Sequence, residues 1–458
     1  MSSFHTKTSR GEDKLDSLGK LVDTLLESSE GRFKLGKISF KCSDTEREGI
    51  GIFANEHLSI GDVLVAVPFQ YCISVEQIMS HPEMRVILEE QPQLLNYPDE
   101  VLAMGLMYGA TIGSSACPWA GHVASLPGPE SFNTTIYWSE AELGELKGCT
   151  VFHLTQMMKR QIDTDWQSLH LPLAEAYPHV LGESSRELYM WALSIVYSRA
   201  VGLSRRGSWI RVVPPVLDMA NHGDLSAEAF VRETFEFDEK SDMLRLINVT
   251  EKSAGEECFA VYGSYPNAKL AFTYGFVIHG CPHRAVDLWT RLQPTTYAAE
   301  QKQSILLAHP LTAVQTYDFT GTLRDGGSIS AALLAYVRVI QATEEEIQDV
   351  ENAFVGTMIS VRNEAATYTS LRNLLQVRLQ AEVAEADKLA LGEMLLDNTP
   401  ICNRKLMALI IRVDERDLVS EALIRIQGWQ ASLEDLQEMY VPPDASLPIS
   451  AAAAFADA

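Results

Sequence analysis

Two short β-rich stretches, each broken by glycines and turns, lie far apart in this chain with a long helical stretch between them, and any fold must bring them together. The first runs from Phe40 to Ser74. There Ile50, Ile52 and Phe53 sit around Gly49 and Gly51, and Ile60-Gly61-Asp62 makes a turn before Val63-Leu64-Val65-Ala66-Val67-Pro68. The second begins after Trp209. Phe230 to Phe237, Met243 to Val249 and Glu257 to Tyr262 read as a meander, with turns at Asp238 to Asp242 and Lys252 to Gly255. From about Ser74 to Arg205 the pattern is helical; its clearest helix begins near Ser184, at capping-box spacing from Glu187, with Leu188, Trp191, Ala192 and Ile195 on one apolar face. Beyond about Thr296 the pattern changes to long helices: Leu371, Leu375, Leu379 and Val383 recur every fourth residue, and Leu406, Leu409, Ile410 and Val413 mark another face. The order predicts an α+β chain: a discontinuous β domain interrupted by a helical insertion, then a separate all-α domain.

Composition narrows the function classes. A length of 458 residues with 46% hydrophobic content allows two or three domains, and no apolar run reaches membrane-spanning length, so a soluble chain is expected. Met1 to Lys20 lacks the apolar segment of a secretory signal, and Glu12, Asp13 and Asp16 do not suit a transit peptide. The seven cysteines are odd in number and never spaced C-x-x-C, which suits reduced thiols in the cytoplasm or nucleus and offers no zinc ligand set. The net charge of -24 argues against direct nucleic-acid binding, which needs a basic surface for phosphates, and is compatible with a basic protein partner. The charge is spread out, and the run Glu344-Glu345-Glu346 reads as a solvated helix face.

Three local patterns bear on chemistry. Gly49, Gly51 and Ala54 satisfy G-x-G-x-x-A, but a dinucleotide loop must open a helix, and Ser59-Ile60-Gly61-Asp62 reads as a turn instead. Glycines there still let backbone approach a ligand closely. In Pro214-Pro215-Val216-Leu217-Asp218-Met219-Ala220-Asn221-His222-Gly223, the adjacent Asn and His offer donors and acceptors suited to an adenine edge, while Asp218 could cap a turn. The third is Tyr262-Gly263 with Tyr274-Gly275-Phe276, which periodicity alone reads as core aromatics at turns.

Taken in order, the glycine loop, Ser198-Arg199-Ala200, Asp218-Met219-Ala220-Asn221-His222 and Tyr274-Gly275-Phe276 resemble the SET-domain methyltransferases related to the Rubisco large-subunit lysine methyltransferase. Trp119-Ala120-Gly121-His122-Val123-Ala124-Ser125-Leu126-Pro127, Trp138 through Leu146-Lys147-Gly148, and Tyr189-Met190-Trp191-Ala192 also match. Asn403-Arg404-Lys405 and Glu415-Arg416-Asp417-Leu418 resemble the family's helical substrate-binding domain more weakly. Two departures stand out. Gly223 follows Asn221-His222 where the family often has Ser, and Cys281-Pro282-His283-Arg284 stands where Asn-Pro-x-Asp is common.

The resemblance implies a flexible lead-in at 1–34, a SET domain at 35–290 with its helical insertion at about 80–205, a helical substrate-binding domain at 296–440 and a disordered tail at 441–458. It also implies an S-adenosyl-L-methionine-dependent protein N-methyltransferase without metal, acting as a monomer on a lysine of a non-histone protein, with no membrane partner. Backbone around Glu48, Gly49 and Gly51 would hold the methionine end of the cofactor, and Asn221 and His222 its adenine and ribose end. Tyr274 would line the acceptor channel with its hydroxyl near the departing methyl group and touch the cofactor, Tyr262 would be the second tyrosine, and Arg199 would brace the site or contact the peptide. A histidine acceptor, or a SET scaffold that grips a partner without turnover, remains open.

Overall fold

The structure, a computed structural model, describes residues 5–43, 49–112, 117–223, 234–312, 318–380 and 386–438. The chain divides into two compact units. The first comprises residues 1–137, 155–264 and 272–275, and the second 138–154, 265–271 and 276–458.

The first unit is assembled from distant parts of the sequence. Its strands are β1 (Lys34–Leu35), β2 (Ile38–Cys42), β3 (Ile50–Ala54), β4 (Val63–Pro68), β5 (Val201–Arg205), β6 (Ser208–Val212), β7 (Phe235–Asp238), β8 (Met243–Ile247) and β9 (Glu257–Cys258). They form a four-stranded sheet in the order β1-β4-β8-β7, a three-stranded sheet β2-β3-β9 and the hairpin β5-β6. β4 pairs antiparallel with β8, so Val65 of the first β-rich stretch lies opposite Leu246 of the second. The expected meander is broken at its third member: β9 leaves β8 and pairs with β3, with Ile52 opposite Cys258 and Phe53 opposite Glu257. The start of its first member, near Phe230, lies outside the described residues. β4 is buried on both faces from Leu64 to Pro68, while β8 alternates from Leu244 onward, and Leu64, Val65, Val67, Leu244 and Leu246 share one core.

The helical insertion builds a core of its own. Pro98–Ile112 buries every residue from Val101 to Gly109, and Arg186–Arg199 buries Trp191, Ala192 and Ile195, as the apolar face predicts. The cap of the latter sits one residue later than expected: the Ser185 side chain accepts from the Leu188 N–H.

The N-terminal segment differs from the flexible lead-in expected for 1–34. His5–Ser28 is a helix, and Leu18, Leu21, Val22 and Leu25 are buried at helical spacing among residues of the β-sheet core. Charged residues between them hid the stripe, and Lys14 Nζ ties the helix to the Ala124 carbonyl at 3.0 Å.

The second unit is mainly helical but is not all-α. β10 (Ala285–Arg291), β11 (Asp318–Arg324) and β12 (Ser328–Ile329) form a three-stranded antiparallel sheet. The run Ala285-Val286-Asp287-Leu288-Trp289 alternates in burial, with Val286 and Leu288 in the core, which is the period of a half-covered strand. Helices Ala331–Gln341, Val361–Gln380 and Arg404–Glu438 supply most of the rest, with Leu371 and Leu375 buried as expected. Val383 and the tail 441–458 lie outside the described residues. Among the described residues no helix is long and apolar enough to cross a membrane, no group of three or more His, Cys, Asp or Glu could hold a metal ion, and all seven cysteines are unbridged.

Candidate active site

The β2–β3 hairpin presents the two glycines. The Ser43 N–H donates to the Gly49 carbonyl at 2.8 Å, and Lys41 lies opposite Gly51. Glu48 lies outside the described residues. Gly51 is glycine because of its neighbour rather than its own dihedrals: a Cβ there would stand 2.3 Å from Oε1 of Glu257. That carboxylate, which the sequence did not single out, joins separate parts of the site. Its Oε1 accepts from Asn221 Nδ2 at 2.8 Å and its Oε2 from Ser43 Oγ at 2.9 Å. The signal for Glu257 was pairing across β3 and β9, which a single strand's pattern does not carry.

Asn221 and His222 are aimed by the backbone before and beside them. Val216 has φ +71° and ψ -40°, and the Leu217 N–H donates to the Pro215 carbonyl at 2.8 Å. This is a γ-turn of the rarer positive-φ kind, strained by roughly 1–3 kcal/mol for a β-branched residue, and Val216 is held in it by complete burial. A short 3-10 turn, Leu217–Met219, follows. His222 then bridges in parallel to Ala260, whose N–H donates to the Asn221 carbonyl at 2.8 Å. His222 Nδ1 accepts from the Tyr262 N–H at 3.1 Å, so the neutral ring carries its proton on Nε2. The glycine after His222 has a local cause: a Cβ on Gly223 would lie 2.6 Å from Phe259 Cβ.

The two tyrosines meet. Tyr262 and Tyr274 have ring centroids 4.7 Å apart at 33°, and His222 lies 5.1 Å from Tyr262 on the same row. Tyr262 OH donates to the Ala220 carbonyl at 2.9 Å. Tyr274 follows the helix Asn267–Thr273, and Gly275 after it takes φ +84°, with its missing Cβ aimed 2.7 Å from the Thr134 nitrogen. Only glycine avoids both the left-handed strain and the backbone collision.

Arg199 reaches the same loop from the end of Arg186–Arg199. Its Nη1 donates to the Asp218 carbonyl and stands 3.4 Å from Asp218 Oδ2. Asp218 is therefore more than a turn cap. Its fully buried carboxylate also lies 3.6 Å from Nε2 of His122, itself 2% exposed. Among the described residues, Oδ1 of Asp218 and both His122 ring nitrogens have no hydrogen-bond partner. Gly49, Gly51, Asn221, His222, Tyr262, Tyr274 and Arg199 thus all fall within the first unit. Hydrogen bonds and ring contacts join Asn221 to Glu257, His222 to Tyr262 and Tyr262 to Tyr274.

Comparison with known proteins places this geometry. Residues 293–418 match the family model described as Rubisco LSMT substrate-binding. The actin-histidine N-methyltransferase of Dasypus novemcinctus is 24% identical over 408 residues, covering 84% of this chain and 65% of that protein. The [fructose-bisphosphate aldolase]-lysine N-methyltransferase, chloroplastic, of Arabidopsis thaliana is 23% identical over 396 residues, 82% of this chain and 76% of that protein. Among solved structures, the SET domain of LSMT bound to lysine and AdoHcy superimposes with a TM-score of 0.73 at 19% identity, covering 91% of this chain and 93% of that one. Rubisco LSMT bound to AdoMet gives 0.72 at 20% identity, covering 93% and 97%. The fold is that of the LSMT SET domain.

Proposed function

We propose, for a chain that belongs to the SET-domain family of the Rubisco large-subunit methyltransferase, that it is an S-adenosyl-L-methionine-dependent protein N-methyltransferase acting on a lysine of a non-histone protein. The observation that carries this reading is the paired Tyr262 and Tyr274 rings in the same unit as the Gly51, Glu257 and Asn221 cluster.

The residues present fit a sulfonium donor. Aromatic faces attract a cation, and the Glu257 carboxylate, which fills the space a side chain at Gly51 would take, adds negative charge. Gly49 and Gly51, with Glu48 before them, would hold the methionine end, and Asn221 and His222 the adenine and ribose end. When bound, the cofactor supplies an activated methyl group for in-line displacement, which needs no metal. The tyrosines line the acceptor channel and keep water from it, and their ring faces hold the incoming nitrogen. A lysine acceptor with a reference pKa of ~10.4 must lose its proton first, and an apolar aromatic channel beside a cation lowers that pKa by desolvation and like-charge repulsion. Arg199 braces the loop through the Asp218 carbonyl or contacts the peptide.

A histidine acceptor is the second reading, favoured by the likeness to the actin-histidine enzyme. The unbridged cysteines support a reducing compartment, cytoplasm or nucleus. We take the chain to act as a monomer on protein rather than nucleic acid or membrane.

The test is transfer from labelled S-adenosyl-L-methionine to proteins of a cell extract, comparing wild type with Tyr274→Phe and Asn221→Ala. The expected result is a labelled band lost in both variants, with mass spectrometry of that band placing the methyl on lysine. A methyl on histidine selects the second reading. Folded protein that neither labels nor binds cofactor means a binding module. Full turnover by Tyr274→Phe would remove Tyr274 from the chemistry.

A further inference from the structure

Asn267 opens the helix Asn267–Thr273, immediately upstream of Tyr274, and its side chain is buried. Its Oδ1 accepts from the Ile278 N–H at 2.7 Å, while its Nδ2 donates to the Ile278 carbonyl at 2.9 Å and to Asp414 Oδ2 at 2.7 Å. Only an oxygen can meet the Ile278 N–H, so the orientation of the amide is fixed and both its hydrogens are used. Asn267, Ile278 and Asp414 belong to the second unit, whereas Phe272–Gly275, which they bracket, belong to the first. The stretch from Asn267 to Ile278, which carries Tyr274, therefore has its two ends tied by a single side chain.

We infer that Asn267 and Asp414 are positioning residues for Tyr274: the amide fixes both ends of the stretch from Asn267 to Ile278, and the carboxyl group fixes the amide. This rests on the reading of Tyr274 as part of a methyl-transfer site. It adds a requirement beyond the side chains already placed in the site.

Asp414 stands on the helix Arg404–Glu438. Burial pushes its carboxyl up to about 6, opposed by the Asn267 bond and by the charges of Arg284 and His279, and assisted by Asp417 on its own helix. Arg284 is itself engaged with Glu421. The acceptor of the Asn267 bond thus gains its charge as pH rises through 6, and a charged acceptor makes a hydrogen bond roughly twice as strong as a neutral one. The clamp tightens in that direction.

Hydrogen exchange by mass spectrometry on the full chain tests this. Asn267→Asp keeps an acceptor for the Ile278 N–H and removes both donors. The swap Asn267→Asp with Asp414→Asn returns one donor, from residue 414 to the carboxylate at 267. We expect amides of 272–278 to exchange about tenfold faster in Asn267→Asp at pH 7, with 38–54 and 257–262 unchanged, and to recover to within about threefold of wild type in the swap. Methyl transfer at saturating S-adenosyl-L-methionine should fall about tenfold and recover in parallel. Unchanged exchange at 272–278, loosening spread evenly over all peptides, or a swap no better than the single variant overturns the inference. A wild type that transfers no methyl defeats the methyltransferase reading, while the exchange data still judge the clamp.

Discussion

At Gly275 two independent constraints meet, a left-handed φ of +84° and a Thr134 nitrogen 2.7 Å from where a Cβ would sit. Gly275→Ala should therefore cost more than the usual left-handed penalty, about 2–4 kcal/mol, seen as a fall of several degrees in thermal midpoint. Methyl transfer should fall further than stability does, because Tyr274 is the adjacent residue. Gly51 makes a contrasting case: its backbone is ordinary, and the obstacle is a side chain. Gly51→Ala should be rescued in part by Glu257→Gly, and a thermal melt of the double variant checks this; Gly275→Ala has no such remedy, because its obstacle is main chain. Both glycines stood out in sequence as neighbours of the motif residues, but the reason for each lies in a partner far along the chain. Glu257 went unnoticed for the same cause. A glutamate at a strand end has no pattern of its own until β9 is laid against β3.

Among elements, the N-terminal helix shows what a local reading misses. Four apolar residues at helical spacing bury against the sheet core, each contributing roughly 1.5–3 kcal/mol of gross burial. Removal of residues 1–28 should leave that patch bare, lowering the thermal midpoint of the first unit and exposing apolar surface to a dye such as ANS; an unchanged melt would show the helix to be dispensable. In the second unit, Lys302 is 1% exposed and its Nζ donates to the carbonyls of Ile340 at 3.0 Å and Ala342 at 2.7 Å, at the end of the helix Ala331–Gln341. Lys302→Met should orphan both carbonyls and cost about 1–3 kcal/mol, measured by denaturant unfolding. A lysine in an amphipathic helix reads as exposed from sequence alone, so this cap was not legible. The element types of long periodic stretches were, as in Arg186–Arg199 and Val361–Gln380. The strands of the second unit were not, because β10 finds its partner β11 only beyond an intervening helix.

On the scale of the whole molecule, the second unit gathers buried acid. Burial pushes the Glu415 carboxyl up to about 7 despite Arg378 and the Thr150 N–H, raises Asp287 as well, and holds Asp414 near 6. A carboxyl that titrates higher folded than unfolded binds an extra proton in the native state. Its stabilising contribution is complete below about pH 4 and is lost as pH climbs through 6 to 7. Glu415 alone is worth on the order of 3 kcal/mol over that window. Thermal unfolding followed from pH 5 to pH 8 should show the second unit weakening as pH rises, with Asp414→Asn flattening the part centred near 6. A midpoint that rises over this range refutes the assignment.

The order in which the strands occur also sets when the first unit can form. Val65 waits for Leu246, and Ile52 for Cys258, so neither sheet closes until more than half of the chain has left the ribosome. The helical insertion, whose buried core is drawn from residues 73–213, can settle earlier. Nascent chains stalled before residue 243 should therefore be protected from protease over 98–199 while 34–68 remains open to cleavage, and chains long enough for residue 275 to have emerged should close that window.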